Sequence, residues 1–148
     1  MITITHNISL TTANIHTPMS TIFSKIIAGE IPVYKVAESN EFLAFLDINP
    51  LVEGHLLVIP KKEVNRLFDL DDETYNGLMI FTKIIATAMK KVFPCDRIGM
   101  TVLGLEVPHA HIHLIPLTDM RDMDFSQPKL WYRPEEYQAI ADRIKAAL

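Results

Sequence analysis

Between Pro108 and Pro116 the chain reads Pro-His-Ala-His-Ile-His-Leu-Ile-Pro, an alternation of histidine with apolar residues. A period of two belongs to a β-strand, whose successive side chains leave on opposite faces. It puts His109, His111 and His113 on one face and Ala110, Ile112 and Leu114 on the other. The strand, read as Val107 to Leu117, then carries a row of imidazoles about 6.5 to 7 Å apart along the backbone. That spacing lets several rings converge on one group the size of a phosphate.

The rest of the chain supplies partners for such a strand. Ser20 is placed to cap a short helix over Thr21–Ala28, with Gly29 ending it. Val33–Ala37 and Phe42–Asp47 flank the turn-rich Glu38-Ser-Asn-Glu41 and predict a hairpin. Asn49-Pro50 breaks the second run, and His55–Ile59 forms a third strand closed by Pro60. Asp69–Glu73 is acidic and starts a helix to about Val92, with Leu78, Phe81, Ile85, Ala88 or Met89, and Val92 on its buried stripe. Lys90 and Lys91 at its end complement the helix dipole. A fourth strand over Arg97–Leu103 joins the histidine strand through a tight connection at Gly104. Pro134 opens a last amphipathic helix with Tyr137, Ile140, Ile144 and Leu148 on one side. Strands in neighbouring pairs around one long helix predict an α+β fold on an antiparallel sheet of about five strands.

The 148 residues suit one domain, and no repeat or linker suggests a second. Residues 1–19 read differently. Met1–Pro18 holds five Thr and no Lys, Arg, Asp or Glu, so it is neither a secretory signal nor ordinary domain sequence. It is expected to be a disordered extension, and His6 and His16 in it are assigned no role. The domain then spans 20–148, with the histidine-bearing core over 20–117 and a tail and helix over 118–148. A net charge of −4 argues against a nucleic-acid backbone as partner, so any anionic ligand must be held locally. The apolar runs are too short for a membrane span. Cys95 stands alone, which excludes an intrachain disulfide and suits a reducing, cytoplasmic setting.

Three histidines on one face have a chemical use. Imidazole titrates near neutrality, so a neutral ring can attack phosphorus while a neighbour donates to a phosphate oxygen or leaving group. Close packing also opposes charging all three together. A single strand histidine is more often a hydrogen-bonded structural residue, but burying three without a purpose creates a desolvation problem. The spacing equally permits a His₃ metal site with an open position for water, with Glu106 nearby as a ligand or support. From spacing alone, phosphate chemistry stands only slightly ahead of metal.

His109-Ala-His111-Ile-His113-Leu-Ile resembles the His-φ-His-φ-His-φ-φ signature of the histidine triad proteins, where φ is apolar. Three further blocks resemble the Hint-type branch in the same order: Ile22-Phe-Ser-Lys-Ile-Ile-Ala-Gly-Glu-Ile-Pro32, Leu43-Ala-Phe-Leu-Asp-Ile-Asn-Pro50 and Gly54-His-Leu-Leu-Val-Ile-Pro-Lys-Lys62. Together they cover Ser20 to Leu117. The resemblance implies a HIT-like α+β fold, a homodimer whose sheets join, and cleavage at the α-phosphorus of purine nucleoside phosphates without a metal or other cofactor. His111 would be the nucleophile, forming a nucleotidyl-histidine. His109 would orient it, His113 would contact the phosphate or leaving group, and His55 would support the triad. Asp47 would accept from the ribose hydroxyls, and Ile22, Phe23, Ile26, Phe45, Leu46 and Ile48 would line the base pocket. For Asp47 the plainer reading is a turn cap before Asn49-Pro50, and for the apolar residues it is core packing.

The chain departs from the pattern in places. Where relatives carry Gly-Gln-Ser/Thr-Val-x-His, it has Gly104-Leu-Glu-Val-Pro-His109. Leu105 cannot donate to phosphate, and an ionised Glu106 would repel it unless turned away or paired. Thr101 stands where an Asn is usual and offers one hydroxyl. The Cys-x-x-Cys that holds a structural zinc in some relatives is absent around Phe23, which weakens the metal reading. The expected activity is hydrolysis of nucleoside phosphoramidates or dinucleoside polyphosphates. A catalytically weak nucleotide-sensing module and a His₃ metal hydrolase are the alternatives.

Overall fold

A computed structural model describes residues 20–148, so the reading of residues 1–19 as a disordered extension lies outside the described residues. Helix α1 spans Ile22–Ile27. Its cap is Thr21 rather than Ser20, because Thr21 has extended backbone and its hydroxyl accepts from Ser24 N at 3.1 Å. Strands β1 (Lys35–Glu38) and β2 (Phe42–Leu46) form the expected hairpin, with a register shift between Lys35 and Ala37. Strand β3 covers Leu56–Pro60, leaving His55 just ahead of it.

Helix α2 runs over Asp72–Val92, capped by Asp71, whose carboxylate accepts from Thr74 N at 2.9 Å. It buries Leu78, Thr82, Ile85, Ala88 and Met89. Phe81 and Val92 are only partly buried against the same core. Thr82 satisfies its hydroxyl by donating to Leu78 O at 2.7 Å. Three fully buried large apolar side chains, Leu78, Ile85 and Met89, at about 1.5 to 3 kcal/mol each, make this stripe the principal attachment of the helix.

Strands β4 (Arg97–Thr101) and β5 (Ile112–Leu117) are both shorter than their sequence pattern suggests. Residues 102–111 between them form an open loop instead of a tight turn at Gly104. Helix α3 (Pro134–Lys145) buries Tyr137, Ile140, Ala141 and Ile144, while Leu148 stays 52% exposed beyond its end.

The sheet is antiparallel throughout, in the order β1-β2-β3-β5-β4. The histidine-bearing β5 is therefore interior, hydrogen-bonded on both sides. One face, with Ala44, Leu46, Val58, Ile112 and Leu114, packs on α2 and α3. The other, with Leu43, Phe45, Leu57 and Ile59, packs on Phe23 and Ile26 of α1. No described helix is long and apolar enough to cross a membrane.

The turn into β3 depends on Gly54, which has φ +86° and lies against the Phe93 ring at the end of α2. A Cβ there would come 2.3 Å from the ring. Gly54→Ala should cost about 2 to 4 kcal/mol, the sum of left-handed strain and overpacking. Gly29→Ala should cost only about 1 kcal/mol from strain alone, because Gly29 (φ +78°) has open space around it. Urea denaturation of the two variants checks the ordering.

Candidate active site

The strand places the histidines, but not all in the same manner. His113 lies within β5, opposite Leu57 of β3 and Thr101 of β4. His111 and His109 precede the strand, on the stretch that leads from the loop into it. The His111 and His113 rings meet at 65° with centroids 5.1 Å apart, closer than the about 6.5 to 7 Å between alternate residues along a strand. His55, reaching over from the start of β3, puts its Nε2 2.9 Å from His113 Nδ1. All four rings are buried, from wholly for His109 to 7% exposed for His111 and His113.

Backbone partners of known polarity assign the protons on these rings. His111 Nδ1 lies 2.7 Å from His109 O, and a carbonyl can only accept, so His111 donates from Nδ1. Neutral His111 then carries a bare Nε2. The Leu51 N–H donates to His55 Nδ1 at 3.1 Å, which forces the proton of neutral His55 onto Nε2. That proton is given to His113 Nδ1, so neutral His113 keeps its own on Nε2. Adjacent rings thus present opposite ends: an electron pair on His111 and an N–H on His113.

Burial keeps the supporting rings neutral. Desolvation is the main cause lowering His55 from the usual 6.5 to about 4, with a smaller push from the Lys129 charge. His113 also falls to about 4, chiefly by burial and then by its neighbours His55 and His111, against the pull of Asp47. Asp47 Oδ2 is 3.6 Å from His55 Nε2, but beside a neutral ring this is not an ion pair. The pKa of His109 is lowered by burial, partly offset by Pro60 O and Glu63.

His109 contributes to His111 through its carbonyl, while its ring is anchored elsewhere. Nε2 donates to Pro60 O at 2.8 Å, and Nδ1 is 3.4 Å from the Thr21 hydroxyl. Thr21 also contacts Ser24 Oγ at 3.0 Å, and Ser24 donates to Glu63 at 2.8 Å. The residue that caps α1 therefore ties that helix to the first histidine. Thr21 was readable only as a possible helix residue, and Ser24 and Glu63 gave no sequence signal, because their tie to His109 crosses 88 residues between Thr21 and the ring.

The apolar residues divide. Phe23 meets the His109 ring at 5.7 Å and the His111 ring at 5.1 Å, both edge-on, and Phe45 at 5.8 Å. Phe45 and Ile26 are buried in the same cluster, whereas Ile22 (47%) and Ile48 (59%) are exposed. Leu46 departs from its expected place: one step along β2 from Phe45, it points to the opposite face and packs in the α2 core. Asp47 does cap a turn, with Oδ1 accepting from Asn49 N at 2.8 Å, and Oδ2 lies on the His55 side. Thr101 lies opposite His113 in register. Leu105 (91% exposed) and Glu106 are both carried at the surface of the loop.

Among the described residues, the set able to bring donor atoms within 4.8 Å of one another is Asp47, His55 and His113, not the three triad histidines. The hydrogen bonding does not suit an ion there. Leu51 N–H occupies His55 Nδ1, so the nitrogen facing the cluster bears a proton instead of a lone pair.

A family model described as HIT domain matches residues 28–120. The chain belongs to the HIT family. It is 35% identical to the Bacillus subtilis protein called Protein hit over 146 residues, covering 90% of this chain and 97% of that one. It is 42% identical over 99 residues to the adenosine 5'-monophosphoramidase of Saccharomyces cerevisiae, covering 66% of this chain and 63% of the yeast protein. Among solved structures, a HIT-like protein of Bartonella henselae superposes with a TM-score of 0.75 at 36% identity, over 86% of this chain and 96% of that one. The α+β sheet with β5 inside is therefore a HIT fold, and the triad signature falls within the matched region.

The buried neutral pair has a consequence for this HIT protein's stability. Unfolded histidine takes up protons near pH 6.5, but folded His55 and His113 resist until about pH 4. Their stability contribution is intact above about pH 6.5 and declines as the pH falls toward 4, since the unfolded chain binds more protons in that window. The urea midpoint should be lower at pH 5 than at pH 7.5. His55→Asn should shrink that difference.

Proposed function

We propose that this HIT protein hydrolyses purine nucleoside phosphoramidates, releasing the nucleoside monophosphate through a covalent intermediate on His111. The observation that carries the reading is the opposed pair of tautomers, a bare Nε2 on His111 beside an Nε2–H on His113. The His111 lone pair attacks the α-phosphorus, the phosphorus–nitrogen bond breaks, and the amine leaves with the bonding electrons and a proton supplied from water by way of His113. His109 O steadies the imidazolium charge that develops on His111. The hydroxide left by that water then attacks phosphorus, and the bond to Nε2 breaks with its electrons returning to the ring, so one water is consumed overall. The relative named as an adenosine 5'-monophosphoramidase supports this substrate class. The free Asp47 oxygen is suited to ribose hydroxyls, and Phe23 with the exposed Ile22 and Ile48 would offer apolar surface to a purine. Dinucleoside polyphosphates offer the same α-phosphorus with a phosphate leaving group. A single free cysteine suits work in the cytoplasm.

A second copy completes the assembly in this reading. β4 is an edge strand, and Met100, Val102, Leu103 and Leu105 are exposed along and beyond it. They border a cavity of about 830 Å³ that reaches His111. Pairing β4 with its equivalent would extend the sheet and cover this apolar border. Sedimentation should give a dimer, and Leu103→Asp should shift it to monomer.

Turnover of adenosine 5'-phosphoramidate by His111→Ala should fall by at least on the order of 10³-fold while nucleoside monophosphate affinity changes less than about threefold. Alkaline quenching of the wild type should trap one nucleotidyl group on His111 by mass spectrometry, and a chelator should leave the rate unchanged. Full activity of the alanine variant overturns the mechanism. Leu105 and Glu106, in place of phosphate-binding groups, favour a second reading as a nucleotide sensor. That reading predicts monophosphate binding without turnover of either adenosine or guanosine phosphoramidates.

A further inference from the structure

Two phenylalanines bracket the histidine row. Phe23 stands at the His109–His111 end. At the other end is Phe125, from the segment between β5 and α3, whose ring meets His113 edge-on at 5.0 Å and His55 at 6.1 Å. The His55–His113 hydrogen bond thus lies beneath an apolar ring delivered from the tail.

The tail is built to hold that ring in place. Asp124 accepts from Ser126 N at 2.9 Å, Ser126 Oγ at 2.7 Å and Gln127 Nε2 at 3.1 Å, folding the chain on either side of Phe125 into a tight turn. Lys129 donates to Phe125 O and places its ammonium 5.6 Å from the ring centroid. Leu130 N donates to Pro50 O at 2.8 Å, pinning the segment to the loop that also presents Leu51 N–H to His55. Asp47, His111 and Lys129 are the charged or titratable groups surrounding the pair.

The His113 proton stays on Nε2 only while its Nδ1 is occupied by His55. Water admitted to that contact could donate to or accept from either ring, and the tautomers would mix. We propose that Phe125 is a positioning residue: its ring shuts water away from the His55–His113 hydrogen bond and so keeps the Nε2–H of His113 aimed at the substrate. This rests on the reading of His113 as the donor to the phosphoryl group or leaving amine.

The test compares Phe125→Ala with Phe125→Leu in the full chain. Ring-nitrogen NMR without substrate should show one His113 tautomer and a slowly exchanging His55 N–H in the wild type. Phe125→Ala should mix the tautomers and lose that N–H to exchange, and Phe125→Leu should restore both. With adenosine 5'-phosphoramidate, kcat of Phe125→Ala should fall on the order of tenfold with KM within about twofold, short of the on the order of 10²–10⁴ lost with a general acid itself. Phe125→Leu should stay within about threefold of wild type on the same scale. An unaltered His113 tautomer and N–H exchange in Phe125→Ala overturns the proposal, as does a leucine variant as impaired as the alanine one. If the wild type hydrolyses no phosphoramidate, the functional reading fails by itself, and the NMR comparison still decides the part played by Phe125.

Discussion

Two backbone groups, the Leu51 N–H and the His109 carbonyl, set the chemistry of this site. Imidazole is symmetric enough that either nitrogen can carry the proton, and a ring pointed correctly with the wrong tautomer offers the substrate nothing useful. An amide N–H can only donate and a carbonyl can only accept, so each fixes the proton on the ring it touches. One choice propagates through His55 to His113 and the other acts directly on His111. The result is a bare ring nitrogen and a ring N–H side by side, made from chemically identical side chains.

The fold supplies these contacts through constraints that look unrelated to chemistry. Gly54 permits the turn that brings Leu51 N–H over His55, and its place is set by Phe93 at the far end of α2. The interior position of β5 fixes the height of His113 through hydrogen bonds to β3 and β4. Thr21 joins the α1 cap to the His109 ring, so α1 is tied to the residue whose carbonyl holds His111. Packing of the opposite face on α2 and α3 makes this frame rigid enough to hold ring contacts near 3 Å.

Burial acts on the same rings in a second way. Removing His55 and His113 from water lowers their pKa, so they stay neutral where the tautomer argument applies. A charged His113 would need a proton on Nδ1, the atom already accepting from His55. Low polarity and hydrogen-bond direction therefore favour one state together. Apolar neighbours at both ends of the row, Phe23 and Phe125, maintain that environment without adding any group that could compete for a proton.

Much of this was legible in the residues. Alternation from His109 to Leu114 correctly assigned the two faces, even though β5 begins only at Ile112. The stripe of α2, the β1–β2 hairpin and the five-stranded antiparallel sheet follow from periodicity and turn residues, which are local. Strand ends were not legible, because ladder hydrogen bonds to β3 decide where β5 starts. The resemblance put Leu46 beside Phe45 in the base pocket, and the period-two rule overrides it, since neighbours on a strand cannot share a face. Which nitrogen of each histidine holds the proton, and that Phe125 of the tail reaches His113, were decided by tertiary structure alone. Those contacts join segments far apart in the chain, and local pattern carries no information about them.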